Sequence, residues 1–90
     1  MITTETIPTL NTMFRFQWEQ AQNSYVLLYP EGMIQLNDSA AMILKQFQQP
    51  NRIDAAIDTL ADRFPGEKVR DDIIEFLEEA CDQQWLEVTE

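Results

Sequence analysis

Tyr25-Val26-Leu27-Leu28-Tyr29-Pro30-Glu31-Gly32-Met33-Ile34-Gln35-Leu36 is the stretch on which the fold turns. Its first limb, Tyr25 to Tyr29, is apolar on both faces, as a strand with neighbours on either side requires. Tyr29-Pro30-Glu31-Gly32 then places proline at the second turn position, where its fixed φ is already suitable, and glycine where a left-handed conformation costs little. The return limb, Met33 to Leu36, alternates apolar and polar residues and is short. That pattern predicts an edge strand at the end of a three-stranded antiparallel meander.

Working outward toward the N-terminus, Phe14, Phe16 and Trp18 point one way and Arg15 and Gln17 the other, which predicts the first strand of the meander. Residues 1–12 are rich in threonine, contain Pro8 and hold no sustained period. They are expected to form a loose N-terminal arm that only a partner would order. Toward the C-terminus the period becomes helical. Asn37 can cap a first helix carrying Ala40, Ile43, Leu44 and Phe47, with its end expected near Gln49-Pro50. Asn51 or Asp54 can cap a second helix with the stripe Ile53, Ala56, Ile57, Leu60 and Phe64, stopped by Pro65-Gly66. A third helix is predicted from about Glu67 to Gln83, with Val69, Ile73, Phe76, Leu77 and Ala80 on its apolar face. Trp85-Leu86 closes the core or adds a short last strand. The expected class is α+β and winged-helix-like: a three-stranded antiparallel sheet followed by three helices, forming one domain over residues 13–90.

The chain has 16 acidic and 6 basic residues among 90, a formal charge of −10. Such a balance repels nucleic-acid phosphates and anionic membrane surfaces and favours cationic partners. It bears directly on the main alternative for this fold, a winged-helix DNA-binding protein. From Glu67 to Asp82 the third helix holds seven acids against Lys68 and Arg70, the wrong sign for a helix that reads a major groove. There is no histidine and one cysteine, and no glycine-rich turn is present. The usual nucleophile–base, phosphate-loop and zinc arrangements are therefore unsupported, and no catalysis, metal or cofactor is expected. Asp71-Asp72 and Glu78-Glu79 read as a solvated helix face. Cys81 reads as a small, half-buried hydrophobe. No apolar run approaches the roughly 18 residues of a membrane span, and Met1-Ile2-Thr3-Thr4-Glu5 lacks the basic start of a signal peptide, so a cytoplasmic location is expected.

An edge strand over Met33 to Leu36 has two readings. Its unpaired backbone groups can accept an extended peptide as an added strand, or the edge can be covered by a helix and kept short. The same edge could be satisfied by a second copy or by exchange of the N-terminal arm, giving a weak or swapped homodimer.

Several segments together resemble a known family: Phe14-Arg15-Phe16-Gln17-Trp18-Glu19, Tyr25 to Met33, Leu36-Asn37 and Ser39-Ala40 ahead of Ile43-Leu44, then Asp72 with Phe76-Leu77, and Trp85-Leu86. This resembles the pyrroloquinoline quinone biosynthesis protein D (PqqD) family, from about Pro8 to Leu86. One departure is Gln49-Pro50-Asn51, where the family commonly has an Asp-Gly type turn. The resemblance implies a RiPP recognition element, a winged-helix-like module that holds a leader peptide as an extra strand. It implies a non-catalytic carrier for a PqqA-like precursor peptide, delivered to a PqqE-like radical S-adenosylmethionine enzyme that crosslinks a Glu and a Tyr. It further implies that Met33, Ile34, Gln35 and Leu36 supply backbone pairing, and that Asp72, Ile73, Phe76 and Leu77 line the groove beside them.

Overall fold

The computed structural model describes residues 2–63 and 69–88. Its elements in chain order are β1 (Pro8–Leu10), β2 (Arg15–Glu19), β3 (Ser24–Tyr29), β4 (Gly32–Gln35), α1 (Asp38–Lys45), α2 (Ile53–Ala61), α3 (Val69–Asp82) and β5 (Leu86–Val88). The meander forms as expected, with antiparallel order β2-β3-β4. Tyr29 pairs with Gly32, so Pro30 and Glu31 make a two-residue turn. Gly32 is not in the left-handed region, and the reason for a glycine there is steric. A Cβ at this position would lie 3.1 Å from the Tyr29 hydroxyl, inside ordinary contact distance. The left-handed residue is Asn23 (φ 53°), in the β2–β3 connection, where asparagine tolerates that conformation.

One face of the sheet is aromatic because alternation brings every second residue of β2 and β3 together. Phe16 stacks on Tyr25 at 4.9 Å between centroids, Trp18 meets Tyr25 edge-on at 5.2 Å, and Phe14 tilts against Tyr29 at 5.6 Å. Pairs of this kind add about 0.5–1.5 kcal/mol beyond their burial. Below them lies the core. Leu27 from the sheet, Leu44 and Phe47 from α1 and its exit, Ile53 and Ala56 from α2, and Leu77 and Ala80 from α3 are all fully buried.

The helix boundaries differ from the sequence expectation in ways that backbone bonding explains. Asn37 caps α1 as anticipated, its Oδ1 accepting the Ala40 N–H at 2.7 Å. The helix ends at Lys45, before Gln49-Pro50. A longer helix would direct the Asn51 N–H to the Phe47 carbonyl. Instead that carbonyl accepts from Leu10 N–H at 2.8 Å, and Asn51 N–H donates to the Pro8 carbonyl at 3.2 Å. Neither Asn51 nor Asp54 caps α2 through its side chain. The first amides of a helix still need acceptors, and the N-terminal segment supplies them: Ile53 N–H donates to Thr6 and Asp54 N–H to Thr4, at 3.0 and 2.9 Å. Residues 8–10, read from the sequence as part of a loose arm, are a strand. β1 pairs antiparallel with β5, Pro8 opposite Val88 and Leu10 opposite Leu86.

α3 closes with Gln84 in the left-handed region (φ 65°). Trp85 N–H reaches the Ala80 carbonyl and Gln84 N–H reaches that of Cys81, at 2.9 and 3.0 Å, the two bonds of a Schellman cap. That cap turns the chain into β5. The expectations placed on Phe64, Pro65-Gly66 and the start of the third helix at Glu67 lie outside the described residues. Among the described residues no helix is long and apolar enough to cross a membrane.

Candidate functional site

The phase of the β3–β4 ladder decides which backbone groups are available. Leu36 N–H donates to the Tyr25 carbonyl at 3.0 Å, so Leu36, Ile34 and Gly32 turn their amides toward β3. In an antiparallel pair the intervening residues point the other way. The N–H and C=O of Met33 and Gln35 therefore face the open side of β4, which has β3 as its one strand neighbour. Their side chains project from the sheet face away from the helices, Met33 with 42 % of its surface exposed. Ile34 is half-buried and Leu36 buried on the inner face. The four residues expected at the edge thus divide: Met33 and Gln35 present it, while Ile34 and, just past the strand, Leu36 anchor it.

From the end of β4 the chain enters a groove of about 300 Å³ between α1 and α3. Asn37, Ser39, Ala40 and Ile43 form one wall; Val69, Asp72, Ile73 and Phe76 form the other. Three of the four helix residues expected here are in the lining. Phe76 is half-buried and tilts against Trp85 at 6.5 Å, Ile73 is 2 % exposed and serves as floor, and Asp72 is exposed. Leu77 is not in the lining. It sits one turn beyond Ile73 and is fully buried in the core, so it supports the groove from beneath. The α1 wall was missed as a wall by sequence reasoning. Ala40 and Ile43 carry a plain core period, and nothing in spacing alone marks which edge of an apolar stripe borders a groove.

The titratable groups whose proton affinity is shifted lie outside this groove. Burial pushes the Cys81 thiol above its ordinary range, with the Asp82 charge adding to it, the reverse of what activates a thiolate nucleophile. Among the described residues no group of three or more His, Cys, Asp or Glu side chains is placed to hold a metal ion. The shifted acid–base pair, Arg52 and Asp54, is an exposed ion pair at the start of α2, 2.7 Å from Nη2 to Oδ2. Hydrogen bonding between them raises the arginine and lowers the carboxyl. An open strand edge beside an apolar groove is a geometry for recognition.

Comparison with known proteins agrees with this geometry. Residues 24–86 match the family described as Coenzyme PQQ synthesis protein D (PqqD). A PqqA binding protein from Azotobacter vinelandii is 52 % identical over 83 residues, 91 % of this chain and 90 % of that one. Another, from Acinetobacter baylyi, is 49 % identical over 82 residues, 90 % and 83 % of the two chains. The fold is shared with the solution NMR structure of the PqqD truncation of Methylobacterium extorquens PqqCD, which represents a stand-alone RiPP recognition element. The match has a TM-score of 0.76 at 24 % identity and covers 97 % of this chain and 95 % of that one. With a family match spanning both the open edge and the groove, and relatives near half identity along almost the whole chain, this protein belongs to the PqqD family.

Proposed function

We propose that this protein binds a PqqA-type precursor peptide as a fourth strand on β4 and presents it to a PqqE-like radical S-adenosylmethionine enzyme. The observation that carries this reading is the outward-facing N–H and C=O of Met33 and Gln35, next to an apolar groove of about 300 Å³. Main-chain bonds to the edge set the register of an extended peptide. Pockets at alternate positions then select its side chains. Ile34 and Leu36 keep the strand in place, Ile73 and Phe76 offer apolar contact, and Asp72 can meet a basic peptide residue. Ordering a flexible peptide costs about 2–5 kcal/mol of the gross interaction, so moderate affinity and ready release suit a carrier.

The chemistry belongs to the enzyme, and the carrier raises the local concentration of peptide there if carrier and enzyme also touch. A cytoplasmic location fits that role. A second copy pairing through β4 would compete with peptide for the same backbone groups. Mass spectrometry of the precursor after incubation with carrier, with enzyme, and with both is the test. The expected result is no mass change with the carrier alone and faster or fuller crosslinking with both proteins. A mass change with the carrier alone would overturn the non-catalytic assignment, and equal crosslinking without the carrier would remove the delivery role.

A further inference from the structure

The sheet has a second open edge. Because the Tyr25 carbonyl is taken by Leu36, Val26 turns its amide to the other neighbour and pairs with Gln17 of β2. Phe16 and Trp18 therefore direct their N–H and C=O outward, and β2 has β3 as its one strand neighbour. Beside this edge lies a groove of about 310 Å³ on the flank of α1 opposite the first groove. Trp18, Tyr25, Met42, Lys45, Leu60 and Arg63 line it.

Its charge is opposite in sign to that of the chain as a whole. Lys45 and Arg63 are two of only six basic residues in a chain of charge −10. Among the described residues neither has a carboxylate within ion-pair distance, Arg52–Asp54 being the one pair found. Lys45 Nζ is held 5.6 Å from the centre of the Tyr25 ring, a cation–π contact that fixes the charge at the groove. Asp38 also lines the groove, leaving two cations against one anion. Trp18 is half exposed, at 50 %, and exposed tryptophan flanked by basic residues is the composition of a protein-contact anchor.

We propose that the β2 edge and this groove form a second docking surface, taken by an extended acidic segment of the enzyme to which the peptide is presented. The inference rests on the carrier reading above, in which cargo occupies β4 and the recipient needs another face. An added strand on β2 would bond to Phe16 and Trp18. Its carboxylates would meet Lys45 and Arg63, and an apolar side chain would lie on Trp18 and Met42. The precursor itself, a second copy of this chain and the enzyme are separable occupants.

Two titrations on the full chain decide between them: affinity for the radical enzyme and, separately, for the precursor. The variants are Lys45→Glu with Arg63→Glu, the exposed-site change Trp18→Ala, and the charge-preserving pair Lys45→Arg with Arg63→Lys. Charge reversal and Trp18→Ala should each weaken enzyme binding tenfold or more and leave precursor affinity within twofold, while the charge-preserving pair binds like the parent. If charge reversal fails to fold, Trp18→Ala gives the answer. Unchanged enzyme affinity would overturn the proposal, as would parallel loss of both affinities, or a change in self-association alone by sedimentation. A parent protein that binds precursor but no enzyme would overturn the carrier reading with it, whereas equal binding by parent and variants overturns the groove alone.

Discussion

The two grooves share α1 and differ in what faces it. On one flank, Ala40 and Ile43 look across to Val69, Ile73 and Phe76, with Asp72 as the charged group. On the other, Ala41, Met42 and Lys45 look across to Trp18, Tyr25 and Arg63. Helical spacing makes this division, since residues three and four apart share a side and an eight-residue helix has room for two. Each groove borders an open edge of the same three-stranded sheet. The contrast teaches that a strongly acidic chain need not offer the same field to every partner. Within roughly 8–10 Å, the screening distance near physiological salt, local charges decide what is attracted.

The largest effect should come from the core beneath the groove. Leu77→Ala removes a fully buried side chain and should cost about 2–5 kcal/mol of stability in chemical denaturation, with any loss of binding explained by unfolding. Phe76→Ala, half-buried at the groove, should instead weaken precursor binding about tenfold in calorimetry and spare enzyme binding. If Phe76→Ala and Trp18→Ala reduce both affinities alike, the two grooves are not separate surfaces.

Edge phase gives a sharper probe with a smaller effect. Gln35→Pro deletes an outward N–H and should weaken the precursor by about 1–2 kcal/mol, a folded chain being retained. Ile34→Pro deletes an N–H that belongs to the ladder with Leu27 and should lower the melting temperature. Equal melting of the two variants would contradict the assigned phase. The smallest effect is electrostatic. Association of a basic precursor should slow by several-fold between low and high ionic strength, as expected for a screened acidic surface. A level rate in stopped-flow mixing would show that long-range attraction plays no part at the β4 edge.

Where residue type dictates geometry, the sequence was readable. Alternation placed the meander, Pro30 located its turn, Asn37 marked the α1 cap, and the 3.6-residue period of α2 and α3 found the core. What stayed hidden depends on backbone groups that every residue carries. Nothing in Thr4, Thr6 or Pro8 announces that their carbonyls take the leading amides around α2, and no period reveals that Leu10 claims the Phe47 carbonyl. Gln84 held its left-handed cap without a glycine to signal it. At the groove, Ile73 and Phe76 stand on the α3 stripe and Asp72 came only from the family resemblance, while Leu77 on the same stripe is fully buried. Only tertiary packing separates the residue that borders space from the one that fills it.

The pairing of Pro8 with Val88 makes the described chain nearly a ring. Folding must bring together points about eighty residues apart, and the associated loss of chain freedom amounts to about 4 kcal/mol in simple loop-closure terms. A covalent cross-link between β1 and β5 would remove much of that entropy from the unfolded ensemble at a contact the fold already makes.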